Sequence, residues 1–256
     1  MSIKALNRNS LKALFSAGSR PGESNFSSLI DSTVNIVDDG ISKNLDDGLI
    51  LSPEGNESER LISFYKNIQD EQPQWSIELN NENQNGLGFV EPVPGKTEEA
   101  NTRMFLQQGG KIGVGTVVPK TNFEVVGTLG MQSRVGTYKL ATVPADGKWH
   151  TIIPDLNGCH AFEIVAQVGK QKSGKYALLH AIAMSTFGKS KSKIKTTQAH
   201  YGWWWNKIAL RWTGSTYNFS LQMKSRSSYG NQQEIKFHIT ELWGNAIQSL
   251  FDQTNE

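Results

Sequence analysis

The residues of this chain best suited to holding a ligand stand in two short runs. The first is Gln198-Ala199-His200-Tyr201-Gly202-Trp203-Trp204-Trp205-Asn206-Lys207, three consecutive tryptophans beside a tyrosine. Read as part of a strand, three successive rings must face both sides of the sheet, so at least one is exposed or at an interface. Exposed Trp and Tyr stack on sugar rings or anchor protein contacts. The competing reading packs two of the rings in a core and the third between subunits. The second run is Lys189-Ser190-Lys191-Ser192-Lys193-Ile194-Lys195. Its lysines, at a period of two, lie on one face of an extended segment. Such a face fits an anionic surface, for instance acidic polysaccharide or lipopolysaccharide phosphate. It equally fits an edge strand that uses lysine to block sheet-to-sheet aggregation. Lys170, Lys172 and Lys175 make a second basic loop.

Catalytic patterns are missing. His150, His160, His180, His200 and His238 form no His-Glu-x-x-His set, and none lies beside a second cysteine. There is no Gly-x-Ser-x-Gly elbow. Cys159 is the single cysteine, so no disulfide forms within one chain, and it reads as a small buried apolar residue. Asp155 and Glu163 are the one carboxylate pair offered for sugar hydrolysis; solvated acids on strands and loops are the plainer reading. The glycine-rich stretch 109–130 lacks the Gly-Lys-Ser/Thr ending of a phosphate loop. No catalytic residue, metal or cofactor is expected.

Those glycines recur between β-branched residues, and glycine inside a strand marks close approach of another backbone. Either several copies wrap a shared axis there, or the strand is bulged within one domain. Upstream, Asn9 or Ser10 caps a short helix through Leu11, Leu14 and Phe15, and Gly18 ends it. After Arg20-Pro21-Gly22, the spacing of Phe26, Leu29, Ile30 and Val34 predicts a second amphipathic helix. Two helices this small need a partner for their apolar faces, either copies of the chain or a docking surface. Residues 38–58 read as a linker with one strand at Gly48–Leu51, ended by Pro53. Strands follow at 60–65 and 75–79. A polar turn spans 80–85, and short strands broken by Pro92, Pro94 and Gly95 cover 86–106.

Eight strands are predicted beyond residue 131, at 138–143, 149–153, 161–168, 176–184, 194–197, 208–213, 219–223 and 234–243. Turn signals stand at Ala145-Asp146-Gly147, Leu156-Asn157-Gly158, Ser173-Gly174 and Tyr229-Gly230-Asn231. This spacing suits a β-sandwich or jelly-roll-like domain large enough to bury its own core. Residues 244–256 make a polar tail with a helical turn around Ile247 and Leu250. The expected organisation is therefore 1–37, helical attachment; 38–130, β-rich shaft; 131–243, sandwich; 244–256, tail.

Charge is uneven along the chain. Residues 1–100 carry 8 Lys+Arg and 16 Asp+Glu, a net −8, and residues 101–256 carry 18 and 8, a net +10. The two parts are expected to face different neighbours, the basic one favouring anions. Nucleic acid is excluded as an expectation by the near-neutral total and the lack of a recognition motif. No signal peptide or apolar membrane span is read. A soluble protein made in the cytoplasm is expected, one that leaves the cell, if it works outside, as part of an assembled particle or by lysis.

Three segments resemble a known group. Leu11-Lys12-Ala13-Leu14-Phe15-Ser16-Ala17-Gly18-Ser19-Arg20-Pro21, with Phe26-Ser27-Ser28-Leu29-Ile30-Asp31-Ser32, resembles the opening of phage tail-fibre-like proteins. Gly110-Lys111-Ile112-Gly113-Val114-Gly115-Thr116, with Pro119, Phe123-Glu124-Val125 and Gly127-Thr128, is similar to the Gly-x-Ile-Gly-Ile-Gly-Thr-x-x-Pro repeat of tail fibres, departing conservatively at Val114 and Val118. Residues 145–243 resemble a C-terminal domain of tail-associated proteins of phages and contractile injection systems, through Asp146-Gly147-Lys148-Trp149-His150, Phe162-Glu163-Ile164-Val165-Ala166, Tyr176-Ala177-Leu178-Leu179-His180-Ala181-Ile182-Ala183, Ala199-His200-Tyr201-Gly202 and Leu210-Arg211-Trp212-Thr213-Gly214.

The resemblance implies a homotrimer docked by its N-terminal segment on baseplate or tail proteins, with an intertwined β-rich shaft and a distal β-domain. The function expected is a non-enzymatic structural and receptor-binding subunit, a tail fibre or spike, that contacts a target-cell glycan or lipopolysaccharide. Leu11, Leu14, Phe15, Phe26, Leu29, Ile30, Ile112, Gly113 and Gly115 are the expected oligomerisation and attachment residues. Tyr201, Trp203, Trp204, Trp205, Lys189, Lys191, Lys193 and Lys195 are the expected ligand contacts. The rival readings are an architectural baseplate or cap adaptor, a polysaccharide-cleaving tailspike, and a free lectin.

Overall fold

The computed structural model describes residues 6–35, 38–53, 59–81, 84–93, 100–230 and 232–252. The expected breaks at Pro94 and Gly95, the turn residue Asn231 and the end of the tail at 253–256 lie outside them. The chain is mainly β, with short helices at its ends, and it separates into two compact units, Met1–Leu129 and Gly130–Glu256.

In the first unit, α1 (Arg8–Leu14) is capped by Asn7, whose side chain accepts from the Ser10 N–H at 2.9 Å. Asn9 and Ser10, the caps expected from sequence, lie within the helix. Asn7, Asn9 and Ser10 all carry side chains suited to a cap, and hydrogen-bond geometry chose the earliest. Gly18 turns the chain at φ +84°, and α2 (Glu23–Ile30) follows. Val34 lies beyond the end of α2 and so does not extend its face. The Phe15 and Phe26 rings meet edge to face at 5.4 Å, yet neither helix buries any residue. A hairpin, β1 (Ile41–Asn44) with β2 (Gly48–Leu51), stands where one strand was expected.

Six strands then form one sheet, in the order β3 (Arg60–Phe64), β4 (Trp75–Asn81), β5 (Gln84–Pro92), β6 (Ala100–Gln107), β7 (Lys111–Val114) and β8 (Phe123–Val125). Pairing is antiparallel except between β7 and β8. All of this pairing is completed within one chain. Gly113 meets a close backbone, as expected of a strand glycine, but that backbone is its own. A Cβ there would stand 2.2 Å from the Thr116 carbonyl oxygen. Gly115, at φ +74°, begins the turn that brings Thr116 round. On the same side of the sheet Phe105 lies across Gly86, where a Cβ would meet its ring at 2.6 Å. Phe105 and Val90 are the large apolar side chains fully buried in this unit among the described residues.

All eight strands expected in the second unit are present. A five-stranded sheet runs β13 (Lys193–Tyr201), β12 (Tyr176–Thr186), β11 (Cys159–Gly169), β16 (Glu234–Trp243), β9 (Lys139–Pro144). A three-stranded sheet runs β10 (His150–Leu156), β15 (Phe219–Ser225), β14 (Ile208–Gly214). Alternation drives the packing: β12 reads buried at Ala177, Leu179, Ala181 and Ala183 and exposed between. The inner faces of both sheets close one core, with Phe162, Ile164, Leu179 and Ile239 opposite Ile152, Ile208, Leu221 and Met223. The small alanines of β12 leave room for Phe162 and Phe219, both buried. Gly147, Gly158, Gly174 and Gly230 all take positive φ, as their turns require. Cys159 is half-buried at the mouth of β11 rather than fully inside. The tail forms α3 (Asn245–Asp252), whose Phe251 ring lies on Trp243 at 5.6 Å.

Candidate functional site

The three tryptophans are not in a strand. β13 stops at Tyr201, and Gly202 to Trp205 form a tight turn into β14. Gly202 permits it twice over. Its φ is +89°, and a Cβ would stand 2.6 Å from the Gly174 carbonyl oxygen. Asn206 then fastens the turn from inside. It is fully buried, its Nδ2 donates to the Tyr201 carbonyl at 3.1 Å, its Oδ1 accepts from the Ser227 hydroxyl at 3.1 Å, and its N–H donates to the Trp203 carbonyl at 2.9 Å. A short polar side chain with donor and acceptor at one end is what such a three-way tie needs.

On that mount the Trp203 and Trp205 rings stack in parallel, centroids 5.0 Å apart and planes within 2°, and Trp204 meets Trp205 edge-on at 5.5 Å. Trp203 and Trp204 stay about two-thirds exposed, at 65% and 66%, so neither is a core residue of this chain. Tyr201, also 66% exposed, meets Tyr176 edge to face at 6.3 Å. Beside this ledge a hollow of about 340 Å³ is lined by Gln167, Tyr176, Leu178, Ala199, His200 and Tyr201. Lys175, on the neighbouring hairpin, donates to the Ser228 carbonyl at 3.3 Å. Fixed aromatic faces next to amide, imidazole and phenol groups can stack on a sugar ring and hydrogen-bond its hydroxyls.

No protein-family model matches this chain, and no curated protein does.

The lysine run is elsewhere. Lys189 turns the chain at φ +63°, Lys191 is in the loop, and only Lys193 and Lys195 share a strand face. The period of two therefore holds for the second half of the run alone. This loop joins β12 to β13, whereas the tryptophan turn leaves the other end of β13. With nine residues in the strand, the two lie roughly 26 Å apart. The basic residues near the tryptophans are instead on the 170–175 hairpin. Lys189 borders a smaller hollow of about 240 Å³ with Ser185, Ser190, Ser192 and Trp212. The Trp212 Nε1–H is buried there without a partner.

Glu163 faces outward from β11, paired with Arg134 and, at 2.9 Å, with the His180 imidazole. Asp155 is exposed on β10 of the opposite sheet. The two do not form a facing carboxylate pair. Among the described residues no three His, Cys, Asp or Glu side chains gather as metal ligands. No helix there is long and apolar enough to cross a membrane.

Two features escaped the sequence reading. Asn206 was one more polar loop residue until its burial was seen. Trp149 has the Arg211 guanidinium 4.3 Å and the Lys224 ammonium 4.7 Å from its ring centre. Arg211 Nε donates to Gln222 Oε1 at 2.9 Å, and Gln222 Nε2 donates to Thr151 at 3.1 Å, a polar row across the three-stranded sheet. Polar alternation along β14 and β15 was its only sequence signal. Nearby, His150 and the Lys148 N–H hydrogen-bond Asp146 and hold its carboxyl below the usual range.

Proposed function

We propose that this chain is a fibre or spike subunit of a phage or contractile injection particle, and that its C-terminal sandwich binds a target-cell glycan. The observation that carries the binding half is the Trp203–Trp205 stack. Apolar rings this exposed are disfavoured unless something covers them, and here a buried asparagine holds them in place. Ordering the ledge before a ligand arrives removes part of the entropy cost of binding. The fibre half rests on the resemblance of residues 11–32 and 110–128 to tail-fibre proteins. It gains from the open architecture of the first unit, which suits a homotrimer anchored on baseplate or tail proteins.

The test is binding of the intact chain to target cells and to a panel of immobilised surface polysaccharides. Trp203→Ala and Trp204→Ala are expected to cut binding at least tenfold while the melting temperature stays within about 2 °C, since exposed side chains contribute little to stability. Unfolding of both variants, or undiminished binding by both, rejects the ledge as the site. An architectural adaptor is the second reading, favoured by the same exposed rings acting as a protein anchor. It predicts that no polysaccharide binds and that the sandwich lies among other subunits in an image of the particle.

A further inference from the structure

The six-stranded sheet of the first unit has two unlike faces. Residues paired directly across strands share a face, so the register assigns each side chain. Along one row Ile62 pairs with Ile77, Ile77 with Phe89, Phe89 with Met104, Met104 with Val114, and Val114 with Val125. Parallel rows add Phe64 with Trp75, Leu79 with Leu87 and Leu106, and Ile112 with Phe123. These side chains are apolar, and Glu91, two residues beyond Phe89 on the same side of β5, adds one charged pair with Arg103 at 2.6 Å at the end of the face. The opposite face carries Ser63, Ser76, Glu78, Gly88, Gly113 and Glu124 through the same register, around the buried Val90 and Phe105.

None of the apolar row is buried in the single chain, and Phe64, Trp75 and Phe123 are 51%, 42% and 56% exposed. A sheet with one largely apolar side must bury it against another layer. The described residues of the first unit supply none. Neither α1 nor α2 buries a residue.

We infer that this face packs against the same face of other copies of the chain. This deepens the oligomer in the function proposed above and rests on it. Two observations select a second copy. The first is composition: the one charged pair on this face, Glu91 with Arg103, neutralises itself at its end, so like copies meet there without net repulsion. The second is area. Six strands about 4.8 Å apart and about five residues long present on the order of 500 Å² of flat sheet per copy. Three copies that turn these faces to a common axis then bury on the order of 1,500 Å² in all, above the size at which specific interfaces begin. The result is a shared core whose other layers come from the neighbouring copies.

The experiment is light scattering of the full chain across a micromolar dilution series, with Phe64→Glu and Phe123→Glu at two edges of the face and Ile30→Glu on α2 as comparison. Each face variant is expected to weaken association at least tenfold, and more than Ile30→Glu does. Hydroxyl-radical footprinting of the wild type guards against variants that merely misfold. Phe64, Trp75 and Phe123 are expected to be protected, whereas Trp203 and Trp204 are labelled. A monomeric wild type overturns this inference and the oligomer together, and leaves a different protein as the covering layer. An oligomer unaffected by the face variants, or one in which Phe64, Trp75 and Phe123 label as strongly as Trp203, overturns the inference and leaves the oligomer standing.

Discussion

Replacing Asn206 by alanine tests whether the tryptophan ledge is a built mount or a loop that happens to be drawn still. The variant removes the bond to the Tyr201 carbonyl and the one from the Ser227 hydroxyl, both 3.1 Å, at a site with no solvent access. Each lost bond costs about 1 kcal/mol net, and a part-buried carbonyl left without its donor adds about 1 kcal/mol. The expected loss is about 3 kcal/mol. The sandwich unit spans Gly130–Glu256. At about 2.1 cal/mol/K per residue, its unfolding entropy is about 0.27 kcal/mol/K, and the melting temperature should fall by about 11 °C. Ser227→Ala removes one of the bonds and should lower it by about 4 °C. Because the two residues share a bond, the double variant should cost about 1 kcal/mol less than the sum. Calorimetry of the full chain, following the sandwich transition, measures all three. A fall under 3 °C for Asn206→Ala, or strict additivity with Ser227→Ala, would refute the idea that these bonds hold the turn.

Tyr229 gives a test at alkaline pH. Its hydroxyl is buried without a partner, and burial pushes its pKa up to about 12. The folded state thus favours the neutral phenol, a contribution complete below the ordinary value near 10 and lost as pH rises from there through about 12. Tyr229→Phe should abolish that alkaline loss and leave stability at pH 7 equal or up to about 1 kcal/mol higher, since it removes an unpaired hydroxyl; thermal melts from pH 7 to 11 read both. Gly188→Ala should destabilise the sandwich by more than about 2 kcal/mol in chemical denaturation. An added Cβ would stand 1.7 Å from the Ser215 carbonyl oxygen, a backbone atom of the adjacent hairpin.

The second unit was legible strand by strand because its alternation is strong and its turns carry glycine. The polar-apolar period of β12 and β16 states which face is inside, and Gly147, Gly158, Gly174 and Gly230 mark where direction reverses. The tryptophan run was found but misplaced. Three aromatics in a row satisfy strand propensity, and nothing local shows that Gly202 must take a positive φ beneath Gly174, a residue 28 positions away. The lysine run failed for the opposite reason. Its period of two is real in composition, yet Lys189 takes a left-handed turn that the pattern cannot express. Asn206 was invisible because burial of a loop amide depends on Ser227, reached only after a further hairpin. The apolar face of the first unit was dispersed among short strands whose bulges, at Leu61 and between Phe89 and Val90, shift the alternation by one. It emerges only from the register.

The edges of these sheets bear on how copies can meet. An exposed strand edge invites pairing with another chain, and proteins blunt it with lysine, bulges or short strands. On the five-stranded sheet, the edge strand β13 carries Lys193 and Lys195, and the other edge, β9, pairs at only Val143 and Pro144 before the chain departs. On the three-stranded sheet, the edge strand β10 is irregular at two places. The first unit treats its edges in the same way: β3 is bulged, and β8 is three residues long. Backbone pairing between copies is thus discouraged at each of these edges, while the broad apolar face of the six-stranded sheet carries no such protection. Layering that face is an association that none of these edge devices opposes. Lysine on β13 then needs no anionic ligand to explain it, and the glycan contact proposed above rests on the tryptophan ledge alone.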